Sequence, residues 1–256
     1  MFSNRKMKNW NQQEVEIAIS RGGVIALVNP YDNLVTTGVS PWPPAEIVQK
    51  LYKSRHAGAF VSDQKEKATK FLGYYSDLQS IHSEDAISWS VFGTAAHSSI
   101  ETRNTYLSDF FQNIGIQSNP TDNSQIFLWR RIPHPDTLVS GGPEIDFGIF
   151  AGDIFLLGEA KWKSSVNVNQ GKNKDKDQIQ LRVEFLNKYG PKLYPKVKQF
   201  VVLGIGLEND ITENFIVNSV KCIGKTWDEI CGLVSHPHHD ELQKYLTWKK
   251  QNSKNG

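Results

Sequence analysis

Residues 143–162 read Pro143-Glu-Ile-Asp-Phe-Gly-Ile-Phe-Ala-Gly152-Asp153-Ile-Phe-Leu-Leu-Gly-Glu159-Ala-Lys161-Trp162. Two runs rich in β-formers, Ile145–Phe150 and Ile154–Leu157, flank the Gly152-Asp153 pair. A Gly-Asp pair in that setting is a two-residue hairpin signal, because glycine reaches positive φ without a Cβ clash. With Gly152 and Asp153 as the loop, Ala151 pairs with Ile154. Continued outward, that register sets Asp146 opposite Glu159 and Glu144 opposite Lys161. A three-residue Ala-Gly-Asp loop would instead send Asp146 and Glu159 to opposite faces.

The first register has a chemical consequence. Directly opposed residues of an antiparallel pair hold their Cβ atoms about 4.5–5.5 Å apart. Two carboxylates that close repel, and one is driven to protonate unless a cation sits between them. Lys161, two residues after Glu159, projects from the same face. Converging carboxylates with an ammonium beside them make a metal site with a group to position a nucleophilic water. The plainer alternative is a solvated face with cross-strand ion pairs. Against it, Phe155 and Leu157 share the face of Glu159 while Ile154 and Leu156 line the other, as in a strand buried on both sides. Charges there need a reason.

Asp146, twelve intervening residues, then Glu159-Ala160-Lys161 resembles the PD-(D/E)XK nuclease superfamily, the restriction-endonuclease-like phosphodiesterases. The similar stretch runs from about Glu84 to Leu207, roughly half the chain. In that superfamily the acid often follows the proline directly, a place that Glu144 takes here. Glu144 is therefore a possible substitute or extra ligand. The resemblance implies Mg²⁺, with Mn²⁺ able to replace it. The expected ligands are Asp146, Glu159 and the Ala160 carbonyl, with Lys161 as the catalytic ammonium. It also implies a glutamate from the first core helix, matched by Glu84, and a glutamine on the helix after the lysine strand, matched by Gln178.

The chain has 256 residues, enough for one domain or one with an extension. No apolar run approaches the roughly 18 residues of a membrane span, and the first residues lack a signal-peptide apolar core. The two cysteines, Cys222 and Cys231, have no metal-ligand spacing. A cytoplasmic protein with buried thiols is expected. From Lys161 to Lys198 there are ten Lys/Arg against three Asp/Glu, a balance of +7 that leaves −5 elsewhere in a chain of +2. A basic region beginning at the acids suits a polyanion, with Lys163, Lys172, Lys174 and Arg182 as backbone contacts.

Residues 1–80 read as a mostly helical extension with one short apolar run, 23–28, as an extra strand. Helical patterning covers Ala45–Lys53 and 63–81. Ser83, followed by Glu84 and Asp85, is an N-cap signature, and Glu84 falls within the apolar arc of that helix. Further helices are expected over Ile100–Ile116 and about Asp175–Tyr189, and strands over Ile126–Ile132, Lys198–Leu207 and Val217–Ile223. In the helix after the lysine strand, Gln178 and Arg182 centre on the apolar face, where polar groups need partners. Phosphate, water, the acid pair or strand carbonyls are the candidates. Thr226 and Glu229 form a capping box, and the last helix spans Asp240–Gln251. His236-Pro-His-His239 is expected to be solvent-exposed rather than metal-binding.

The order helix, strand, hairpin, helix, strand, helices predicts a three-layer α/β/α domain with a mixed central sheet over 81–256, a restriction-endonuclease-like core. The expected activity is Mg²⁺-dependent hydrolysis of DNA, with RNA and a homodimer both open. Three rivals remain. They are a non-catalytic nucleic-acid-binding protein of the same fold, an ion-pair network in an interaction protein, and a metal-free glycosidase pair. Lys161 and the basic region argue against the last.

Overall fold

The computed structural model describes residues 5–20, 23–53, 76–136, 142–166, 169–171, 173–208, 211–213 and 215–253. It is a mixed α/β structure with a six-stranded mixed sheet and a three-stranded antiparallel one. Two compact units divide the chain, residues 1–97 with 238–256, and residues 98–237. No described helix is long and apolar enough to cross a membrane.

In the first unit, β1 (Arg5–Lys8), β2 (Glu14–Ile19) and β3 (Ile25–Leu27) form the smaller sheet. The extra strand expected within 23–28 is β3. The other two strands correct the helical expectation for this segment. The signal in β2 is alternation over its first four residues: Glu14 and Glu16 face solvent while Val15 and Ile17 are buried. The Asn9 carboxamide closes the intervening turn by accepting the Asn11 and Gln13 N–H groups. Helix α1 spans Ala45–Lys53. The helix expected over 63–81 lies mostly outside the described residues; Asp77–Gln79 is a 3-10 turn. Ser83 caps α2 (Glu84–Ser88), which runs on through a π-helical turn at Trp89–Gly93 into Thr94–Ala96.

In the second unit, α3 (Ile100–Asn113) leads into a meander of β4 (Gln125–Arg131), β5 (Glu144–Ala151) and β6 (Ile154–Ala160). Helix α4 (Gln178–Leu193) carries the chain over to β7 (Gln199–Gly206), parallel to β6. The Asp177–Gln180 capping box starts α4. The expected strand at 217–223 is a hairpin instead, β8 (Phe215–Val217) and β9 (Val220–Thr226), with Asn218 at a φ of 55° in its two-residue turn. Asparagine tolerates that left-handed conformation. The sheet order is β4-β5-β6-β7-β9-β8. Helix α5 (Trp227–Cys231) follows the expected Thr226–Glu229 capping box, and α6 (His239–Asn252) belongs to the first unit.

The hairpin loop is the two-residue Gly152-Asp153 turn, with Ala151 paired to Ile154 and the ladder running to Phe147–Gly158. Gly152 holds φ at 58°. One face of the sheet packs on α4, where Ile179, Val183, Phe185 and Leu186 meet Phe155, Leu157, Phe200 and Val202. Phe150 and Phe155, opposite each other in the hairpin, stack with ring centroids 4.1 Å apart.

Candidate active site

Beyond Phe147–Gly158 the β5–β6 ladder stops, so Asp146 and Glu159 are the next positions on the two separating strands. The Ala160 N–H donates to Asp146 Oδ2 at 2.7 Å. A carboxylate thus does what a main-chain carbonyl would do in a continuing ladder, and this ties Asp146 across the hairpin mouth to β6. On its other side β6 stays in register with β7: Glu159 pairs with Gly204, Ala160 with Ile205, and the Lys161 N–H donates to the Ile205 carbonyl at 2.8 Å. The Lys161 carbonyl accepts the Trp227 indole N–H at 2.8 Å. Both main-chain groups of Lys161 are therefore held. The acids lie at the carboxyl end of β6, where ligands bind in open α/β sheets with parallel strands.

Glu159 has no solvent exposure. Lys161 Nζ lies 2.6 Å from its Oε1, and Arg182 forms an ion pair with its Oε2. Arg182 is also fully buried and donates to the main-chain carbonyls of Gln178 at 2.8 Å and Glu144 at 3.1 Å. One guanidinium thereby joins the start of β5, the end of β6 and the first turn of α4.

These contacts correct one expectation. Arg182 was expected to meet nucleic-acid phosphate, but it is enclosed and its donors go to Glu159 and two carbonyls. A planar fork suits that role better than an ammonium would. Gln178 sits half-buried in the first turn of α4, where its main-chain carbonyl accepts the Arg182 hydrogen bond. Lys163 and Lys174 are exposed. Lys172 lies outside the described residues. Glu144 is half-buried at the start of β5, paired with Arg131. Glu84 belongs to the first unit, where its charge acts on the buried Lys249.

The remaining polar candidates are otherwise engaged. Burial, with a smaller contribution from the Asp177 charge, pushes the Cys222 thiol up to about 11, which leaves it unreactive at neutral pH. His236, expected in solvent, is buried with its ring edge-on to Tyr106 at 4.9 Å. Among the described residues, no group of three or more His, Cys, Asp or Glu is arranged to hold a metal. The Asp146 and Glu159 carboxylates and the Ala160 carbonyl nonetheless supply hard oxygens at adjacent positions of the hairpin mouth. That set fits Mg²⁺, which commonly takes one or two carboxylates and fills its octahedron with water and substrate oxygen.

Compared with protein-family models, curated proteins and solved structures, the chain gives no match.

Proposed function

We propose that the protein is a Mg²⁺-dependent nuclease of restriction-endonuclease-like architecture, three-layered over its mixed sheet, acting on DNA in the cytoplasm. The carrying observation is the two-residue turn. It brings Asp146 and Glu159 to adjacent positions at the hairpin mouth and leaves Lys161 Nζ 2.6 Å from the Glu159 carboxylate. The element order of helix, strand, hairpin, helix and parallel strand supports the same reading.

Asp146, Glu159 and the Ala160 carbonyl would hold the ion, which supplies charge to the scissile phosphate and acidity to a bound water. Arg182, ion-paired to Glu159, fixes the orientation of that carboxylate from the α4 side. Of the two cations on Glu159, Lys161 is the one with some solvent exposure, at 5% against 0% for Arg182. Lys161 is therefore the group able to turn toward substrate, orient the attacking water by donating from Nζ and face the developing charge on the phosphate. Gln178, in the first turn of α4, would hold water or phosphate. Lys163 and Lys174, exposed beyond the strand, meet the flanking backbone.

One observation favours a second reading, a nucleic-acid-binding protein without catalysis: Glu159 already has a cation on each oxygen. The deciding experiment is cleavage of supercoiled and linear DNA with Mg²⁺, Mn²⁺ or EDTA, comparing wild type with Lys161→Ala and Glu159→Ala. Metal-dependent cutting that falls about 10²-fold or more in both variants supports the nuclease. DNA binding without cutting in all three proteins selects the second reading.

A further inference from the structure

Each carboxylate oxygen of the enclosed Glu159 faces a cation. Lys161 Nζ stands 2.6 Å from Oε1, and Arg182 pairs with Oε2. Asp146 is tied beside them to the Ala160 N–H. At formal charge the two carboxylates contribute −2 and the two basic side chains +2, so Asp146, Glu159, Lys161 and Arg182 together sum to zero. A divalent ion added to that cluster finds no excess of negative charge, and both side-chain cations repel it. Its binding improves where one of those cations gives up its hold on Glu159.

The two cations are not equivalent. The Arg182 side chain has no exposure, and its guanidinium donates to the Gln178 and Glu144 carbonyls as well as pairing with Glu159. Moving it would break both of those bonds too. The Lys161 side chain keeps 6% exposure and carries its charge on a flexible four-carbon stem. Its main chain is held on both sides, by the Ile205 carbonyl and the Trp227 indole, so its ammonium moves by side-chain rotation alone.

We propose that Lys161 is a competing counter-ion: its ammonium and a divalent cation contend for Oε1 of Glu159. The exchange swaps one cation for another and transfers no proton. Displaced from the carboxylate, Nζ is the group left to face water and phosphate, so metal binding and the release of Lys161 become one event. The inference rests on the nuclease reading for the identity of the site. It adds an effect which that reading alone does not carry, namely that Lys161 opposes metal binding. By linkage, weakening the Lys161–Glu159 pair strengthens binding of the ion.

The test is direct binding of Mn²⁺, followed through the electron spin resonance of the free ion, to wild type, Lys161→Met and Glu159→Gln. Methionine keeps an unbranched apolar stem without the charge. The expected Kd for Mn²⁺ is about tenfold or more lower in Lys161→Met than in wild type, although DNA cutting is lost in that variant. Glu159→Gln marks the site by losing it. An unchanged or higher Kd in Lys161→Met overturns the proposal, and the nuclease reading survives that result if wild type cuts DNA with metal. Failure of wild type and Lys161→Met alike to bind Mn²⁺ overturns both. If Lys161→Met does not fold, wild type labelled with ¹³C-lysine decides: the Lys161 Cε–Hε resonance should shift and sharpen on saturation with Mg²⁺, and an unmoved resonance refutes the competition.

Discussion

Arg182 on α4 and Glu159 on β6 form an ion pair in which neither residue has solvent exposure. The pair closes the hairpin mouth beneath the acids, and its removal has a definite cost. Arg182→Met leaves Glu159 with Lys161 alone and deprives the Glu144 and Gln178 carbonyls of a donor. Breaking a buried pair from one side costs about 3–5 kcal/mol. Urea unfolding should show a loss of that order, with an unchanged m-value. Arg182→Lys should recover only part of it, because an ammonium cannot reach three acceptors in the fork geometry.

Lys249 predicts a pH dependence in the other unit. Its ammonium is fully buried on α6 and donates to the Ile81 carbonyl at 2.6 Å. Burial lowers its pKa from 10.5 to about 7, against the opposing charges of Glu84 and Asp85. Between about pH 7 and 10.5 the unfolded chain binds the proton more strongly than the fold does, so stability from this group rises with pH across that window. Below about pH 7 both states are protonated and the penalty is complete. Unfolding free energy measured from pH 7 to 9.5 should climb in wild type. In Lys249→Met that contribution to the slope should vanish.

Gly158 offers a packing test one residue before Glu159. A Cβ built there would stand 2.1 Å from the Phe147 ring, which is itself fully buried. Gly158→Ala must displace that ring in the rung preceding Asp146 and Glu159. A destabilisation of about 1–3 kcal/mol is expected from such overpacking. Thermal denaturation checks it, and Mg²⁺-dependent cutting should fall in the same variant.

Lys163 and Lys174 are the exposed lysines flanking the acids. If they neutralise phosphates, each charge-removing substitution should weaken DNA binding uniformly across sequences. Each should also reduce the slope of log K against log salt by about one. Titrations of Lys163→Gln and Lys174→Gln at several ionic strengths decide this; an unchanged slope would place the polyanion elsewhere.

Local chemistry made part of this protein legible. The Gly152-Asp153 turn, the Ala151–Ile154 register, the caps at Ser83 and Thr226 and the α1 helix all depend on residues a few positions apart. The alternation of Glu14–Ile19 was equally local, and its strand was open to the same test. The β8–β9 hairpin is less direct, since its turn is Asn218-Ser219 and only the tertiary ladder with β7 selects it.

Sequence by itself determined the hairpin, and with it the adjacency of Asp146 and Glu159 and the shared face of Lys161. The reason is that a two-residue turn sets register and a strand alternates its faces with a period of two. Only the tertiary structure decided that Arg182 closes on Glu159 rather than on a phosphate and that Lys249 is buried against Ile81. Those outcomes depend on how a helix docks. Such distances are set by packing between residues far apart in the chain, which no local propensity encodes.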